Sequence, residues 1–167
     1  MCPQSVKRKS WTPEQALASL MRLCARAEKS SSDALRLMSG RGLSEADREK
    51  VLRKLVDERF IDDSRYAEAF VRDKMRYSKW GPRKIEQALW QKRIDDDTIG
   101  EALDAIDPDE YTAILKPILQ QKRRTTTAKS PYELQQKLVR YALGRGFTFE
   151  QIRRCLDLGE CEDCETD

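Results

Sequence analysis

Six cations stand against one acid between residues 72 and 84: Arg72, Lys74, Arg76, Lys79, Arg83 and Lys84, with Asp73 the lone carboxylate and Tyr77 and Trp80 interleaved. A stripe of this kind suits DNA phosphate or an acidic protein surface, its aromatics serving as apolar anchors or stacking platforms. The plainer reading is a solvated helix face with Trp80 packed under the turn at Gly81-Pro82. Spacing alone leaves both open. On a helix, Arg72 and Arg76 lie one turn apart and face away from Phe70 and Val71. Lys122, Arg123, Arg124 and Lys129 form a second basic group, and Lys137, Arg140, Arg145, Arg153 and Arg154 extend it. If these line one concave face, the chain offers a distributed surface instead of a pocket.

Other chemistries find little support. The 167 residues include no histidine, which removes histidine acid–base catalysis, histidine triads and histidine metal sites. There is no glycine-rich phosphate loop. Asp62 and Asp63 are tempting as a carboxylate pair, but a stronger account has Asp63 capping a helix and Asp62 favouring its positive end. Arg65 and Arg72 have the reach for internal ion pairs. Cys161 and Cys164 make a lone CxxC, half of a four-ligand zinc site. Cys24 and Cys155 fall at apolar helical positions and read as small core residues. The expectation is a protein that is no enzyme and has no cofactor and no metal. Five cysteines without a secretory signal suit a reducing cytoplasm, and no apolar run is long enough to cross a bilayer.

Net charge is +3, yet residues 160–167 carry five acids and no base, so the rest of the chain carries +8. A basic body with an acidic tail fits a polyanionic or acidic partner, with the tail competing for the same surface.

The elements that must position these residues all read as helices. Thr12-Pro13-Glu14-Gln15 opens the first, with Leu17, Leu20, Cys24 and Ala27 inward. A short helix covers 33–39. Ser44 caps a third with Val51, Leu52, Leu55 and Val56 on one face, and Asp63 a fourth with Tyr66, Ala67, Phe70, Val71 and Met75. Gly81-Pro82, Asp95, Asp107-Pro108 and Ser130-Pro131 open four more, and Thr148 to Gln151 is a capping box for a ninth. Pro117 should kink the seventh. Residues 123–129 should be the least ordered stretch inside the body.

The pattern recurs. When Leu43, Ile94 and Phe147 are aligned, a basic residue stands two before (Arg41, Lys92, Arg145) and an apolar one five before (Met38, Leu89, Ala142). An apolar residue also stands nine before (Ala34, Ile85, Leu138), a cap one after (Ser44, Asp95, Thr148) and a leucine nine after (Leu52, Leu103, Leu156). Three such units predict an all-α array with a long curved surface.

Within the second unit, Phe60-Ile-Asp-Asp-Ser-Arg-Tyr-Ala-Glu-Ala-Phe-Val-Arg72 followed by Gly81-Pro-Arg-Lys-Ile-Glu-Gln-Ala-Leu-Trp-Gln-Lys-Arg-Ile94 closely resembles the RecX family of bacterial regulatory proteins. Arg145-Gly146-Phe147 resembles the family's C-terminal repeat, and the likeness covers roughly residues 12–157. Arg93 departs from it, standing where the family usually has Gly at a left-handed helix stop, a conformation costly for Arg. The resemblance implies three tandem three-helix repeats in an elongated, curved rod, bounded here as 12–60, 61–107 and 108–157. A flexible basic segment at 1–11 and an acidic tail at 158–167 flank them. It further implies a monomer that binds the RecA recombinase filament on single-stranded DNA and inhibits it, touching the DNA directly or through the filament. The residues expected at that contact are Arg72, Lys74, Arg76, Lys79, Trp80, Arg83, Lys84, Lys122, Arg123, Arg124 and Arg145. The alternative is a helical module that binds nucleic acid without a recombinase.

Overall fold

A computed structural model of the protein describes residues 9–156, so the acidic tail and its CxxC lie outside the described residues. The described residues form helices α1 (Pro13–Cys24), α2 (Ser31–Ser39), α3 (Glu45–Asp57), α4 (Asp63–Arg76), α5 (Pro82–Gln91), α6 (Asp96–Asp104), α7 (Pro108–Thr125), α8 (Pro131–Gly144) and α9 (Phe149–Leu156), and contain no strand. Helices this short are marginal alone. All but α5, which opens on Gly81-Pro82 without a side-chain cap, are started by a residue that relieves orphan amides. Thr12, Ser30, Ser44, Asp62, Asp95, Asp107 and Ser130 all accept a first-turn N–H, each cap stabilising by about 1 kcal/mol. Thr148 and Gln151 form the expected reciprocal box.

Several expectations change. The cap of α4 is Asp62, whose carboxylate accepts from the Arg65 amide, and not Asp63. Helix α2 begins at Ser31, because buried Ser30 caps it before Asp33 is reached. Ala27 lies beyond the end of α1 and is exposed; Ala16 takes the core position instead. Val56 is 44% exposed, one residue past the buried Leu55 and off the apolar stripe. Residues 123–125 are not loop but the last turn of α7, which runs on through Pro117.

The principal helix contacts fall within α1–α3, within α4–α6 and within α7–α9, with α4 against α7 the main crossing between units. The three helix exits aligned by sequence share one geometry. Leu43, Ile94 and Phe147 each return an N–H to the carbonyl five residues back, on Met38, Leu89 and Ala142, and each is buried. The residue before each is left-handed: Gly42 at φ 78°, Arg93 at 58° and Gly146 at 88°. This is the helix-ending motif in which an αL residue lets late carbonyls find partners. Arg93 therefore adopts the conformation its repeat mates fill with glycine, despite the Cβ penalty.

The two joints between units differ in kind. The apolar side chains of α4–α9 form one continuous core, whereas those of α1–α3 with Ile61 form a separate one. The first joint is polar. Asp63 accepts from the Ser31 amide at 2.8 Å, Arg65 Nε donates to Glu28 at 2.7 Å, and Lys92 Nζ donates to Asp33 at 2.7 Å. The second joint is apolar at its core and includes backbone. Gly81 N–H donates to the Arg145 carbonyl at 2.8 Å and Arg83 N–H to that of Gly146 at 3.0 Å. A Cβ on Gly81 would sit 2.3 Å from the Phe147 nitrogen, so only glycine permits this approach.

Candidate partner-binding surface

At the second joint Lys79 and Arg145 meet, with Lys122 beside Tyr141. Helix α4 carries Arg72 and Arg76 on its exposed face, and neither forms an ion pair among the described residues. The chain then leaves α4 through Tyr77, which is 83% exposed, and Lys79, held at φ 55°. Arg83 is exposed in the first turn of α5, and Arg123 and Arg124 in the last turn of α7.

The remaining predicted residues are occupied with each other. Trp80 is half-buried against the core, with the Lys74 and Lys84 ammonium groups 4.9 and 4.7 Å from its ring centroid. Lys74 also lies over Phe70 at 5.3 Å. Each such contact stabilises by roughly 0.5–1 kcal/mol and keeps the cation beside the ring face. The packed reading of Trp80 thus describes its surroundings, and the freely exposed aromatic of the stripe is Tyr77. Lys122 and Arg145 lie 4.9 and 5.0 Å from the Tyr141 ring. Arg145 further donates from Nε to the Tyr141 hydroxyl at 2.9 Å and from Nη1 to the Ser78 carbonyl at 3.2 Å.

That last bond joins the two basic groups. Lys79 and Ser78 come from the α4–α5 loop; Arg145 and Tyr141 come from α8 and its exit. They meet across α7 at an open notch of about 380 Å³, lined also by Ile114, Pro117, Ile118 and Gln121. Pro117 and Gln121 were not expected here, although a proline inside an amphipathic helix was a signal. Of the other cations, Lys137 is bound to Glu133 at 2.8 Å, Arg154 to Glu150 at 2.8 Å, and Arg65 to Glu28, with Arg72 left unpaired. Lys129, Arg140 and Arg153 are exposed.

No group of three or more metal-ligating side chains occurs among the described residues. Cys24 and Cys155 are half-buried, and burial raises both thiol pKa values, which disfavours the reactive thiolate. Among the described residues no helix is long and apolar enough to cross a membrane.

A family model for the second three-helix domain of RecX matches residues 62–103, and one for the third three-helix domain matches residues 109–156. The regulatory protein RecX of Chromohalobacter salexigens is 32% identical over 136 residues, covering 81% of this chain and 87% of that protein. The chain belongs to the RecX family. RecX of Halalkalibacterium halodurans is 34% identical over 100 residues, 60% of this chain but only 38% of that longer protein. The crystal structure of RecX from Lactobacillus salivarius shares the fold, with a TM-score of 0.79 at 21% identity over 87% of this chain and 94% of that one.

The RecX-like motif of the sequence coincides with the two joints. Asp62 caps α4 and Asp63 accepts from the first amide of α2, while Arg65 ties Glu28 to the carbonyls of Arg59 and Phe60 at the exit of α3. Gly81, at the other end of the motif, is the point where the second and third units touch backbone to backbone. The residues that identify a RecX chain here are those that fix the units relative to one another.

Proposed function

We propose that this chain binds the RecA recombinase filament on single-stranded DNA and inhibits its strand exchange, ATP hydrolysis and stimulation of repressor self-cleavage, and thereby modulates DNA repair and the SOS response. Membership of the RecX family supports this. The observation that carries it is the meeting of Lys79 and Arg145, from two sequence-distant basic groups, at the second joint, where backbone hydrogen bonds and a shared core hold them in register.

The three repeats, 12–60, 61–107 and 108–157, act as one monomeric bar in the cytoplasm. A bar lying along a filament groove touches more than one RecA subunit and favours the filament state that keeps those subunits in place. It also excludes incoming duplex and repressor. Arg72, Arg76, Lys79, Arg83, Arg123 and Arg124 supply free charge, and many weak contacts add through multivalency. The chain needs no reacting group for this and is not an enzyme.

The test is RecA-dependent ATP hydrolysis on single-stranded DNA titrated with the protein. Hydrolysis should fall at stoichiometric protein and recover as salt rises. Undiminished hydrolysis, together with salt-steep binding to naked short DNA, would favour a nucleic-acid module acting alone. The occupied ring faces of Trp80 and Tyr141 leave Tyr77 as the stacking platform of the stripe that such a module would use.

A further inference from the structure

We propose that the notch at Pro117 is a docking site for an extended acidic peptide segment of a protein partner, one that carries an apolar side chain beside its carboxylates. Three features of the notch ask for three complementary groups. The first is a carbonyl. In a helix the Ala113 C=O accepts from the amide of residue 117, but that residue is Pro and has no N–H. Ala113 and Pro117 are both exposed and both line the notch, so the helix carries beside it a carbonyl that lacks its usual helical donor. A peptide backbone N–H supplies what it lacks.

The second feature is charge. Lys79 stands free at the rim, and Arg145 is oriented by its bonds to Tyr141 and Ser78. These cations call for carboxylates. The third is the wall made by Ile114, Ile118 and the Pro117 ring, both isoleucines half-buried, which is covered best by an aliphatic or aromatic side chain. An acidic and apolar peptide satisfies all three at once. The chain's own tail fits less well: residues 158–167 have five acids but a single aliphatic side chain, Leu158, at their start, and none among the acids. Nucleic acid would meet the cations and leave the apolar wall uncovered. The proposal names the partner chemistry at the same surface, and rests on the proposed function only for the view that the partner is a protein.

Two substitutions test it without endangering the fold. Pro117→Ala returns the missing amide to Ala113 and removes the ring. It should raise the melting temperature, since Pro is the poorest residue inside a helix, and weaken peptide binding about 5-fold, the loss of one neutral hydrogen bond. Lys79→Gly relieves a left-handed lysine while deleting its charge, so it too should not lower stability, and should weaken binding about 10-fold, the loss of one charge-assisted bond. The probe is the fluorescein-labelled peptide Asp-Glu-Leu-Asp-Ile-Glu, followed by anisotropy with the full chain. Controls are the same peptide with Ser for Leu and Ile, a synthetic peptide of residues 158–167, and a short oligothymidine.

The expected result is binding of the first peptide alone, weakened by both substitutions. Equal binding by the Ser peptide or the tail peptide, displacement by oligothymidine, or variants that bind like the parent would each overturn the assignment, as would no binding at all. The assay contains neither recombinase nor DNA, so its failure and a failure of filament inhibition are separate results.

Discussion

Lys92 donates a 2.7 Å charged hydrogen bond to Asp33 of the preceding unit. Lys92 occupies the same repeat position as Arg145, which reaches back to Ser78 of its own preceding unit, and as Arg41 of the first unit, which lies 4.7 Å over Trp11. In the second and third units the matched basic residue is therefore a backward strut.

The strut has a pH dependence. Burial pushes the Asp33 carboxyl up, but hydrogen bonds from Lys92 and Ser30 and the charges of Lys92 and Arg36 outweigh it and hold the group below its ordinary value of 3.8. A depressed carboxyl contributes stability that is complete above that ordinary value and disappears as pH falls through the folded one. Asp33→Asn should cost about 1–2 kcal/mol at neutral pH and flatten the acid limb of a urea-stability profile. An acid limb identical to that of the parent would refute the strut.

Asp63 and Asp62 are adjacent but serve different helices. Asp62→Ala removes the cap of α4, and Asp63→Ala the acceptor of the first α2 amide across the joint. Each should lower unfolding free energy by about 1 kcal/mol. Combined with Arg65→Ala, which breaks the neighbouring pair to Glu28, the Asp63 change should be non-additive, since both act on one joint. Strict additivity in a double-mutant cycle would mean the joint is not a unit.

Gly81→Ala should be among the most damaging single-methyl additions, because its Cβ would also fall 2.4 Å from the Gly146 carbonyl carbon and oxygen, which are backbone and cannot rotate away. A loss of more than about 2 kcal/mol is expected. Gly100→Ala, inside α6 with nothing within 4 Å of the new methyl, should instead gain about 0.5–1 kcal/mol. Chemical denaturation of the two variants decides both.

Tyr111 is buried, and its hydroxyl has no partner among the described residues. Burial drives the Tyr111 and Tyr66 hydroxyls from 10.0 up to about 12, the charge of Asp33 adding to the effect at Tyr66. Their raised folded values give stability that is intact below pH 10 and lost as pH climbs from there toward 12. Tyr111→Phe should stabilise by about 1 kcal/mol and soften the alkaline limb. Destabilisation on denaturant titration would show that the hydroxyl has a partner after all.

Arg72, Arg76 and Lys79 are exposed on α4 and the loop after it, with no ion pair among the described residues, so replacing all three with Glu should leave the melting temperature nearly unchanged. Inhibition of RecA-dependent ATP hydrolysis should weaken at least about 10-fold. Lys74→Ala and Lys84→Ala, which uncover Trp80, should behave oppositely and cost stability first. Unaltered inhibition by the triple variant would move the contact elsewhere.

Much of the architecture was legible because helix boundaries are written in local chemistry. The Ser44, Asp95 and Ser130 caps, the Thr12 and Thr148 boxes and the three aligned exits are each decided within a few residues. What escaped was decided at a distance. Asp63 looked like the cap of its own helix because nothing local shows that Ser31 needs an acceptor. The cations of the stripe looked equivalent until Trp80 and Tyr141 sorted them into those held over rings and those left free. Lys79 and Arg145 meet only because Gly81 lets two backbones touch, and no periodicity encodes that. Arg93 defeated the local rule outright, its left-handed backbone imposed by a turn whose buried Ile94 and returning amide outweigh the penalty.

The contrast between an ionic seam after α3 and a greasy one after α6 divides the molecule thermodynamically. The last six helices share an interior and should melt as one cooperative block. The first three keep a private interior, tethered by ions that salt and acid loosen. In a calorimeter that means two events in place of one, the earlier shifting with ionic strength, so a solitary melting temperature would misdescribe the chain.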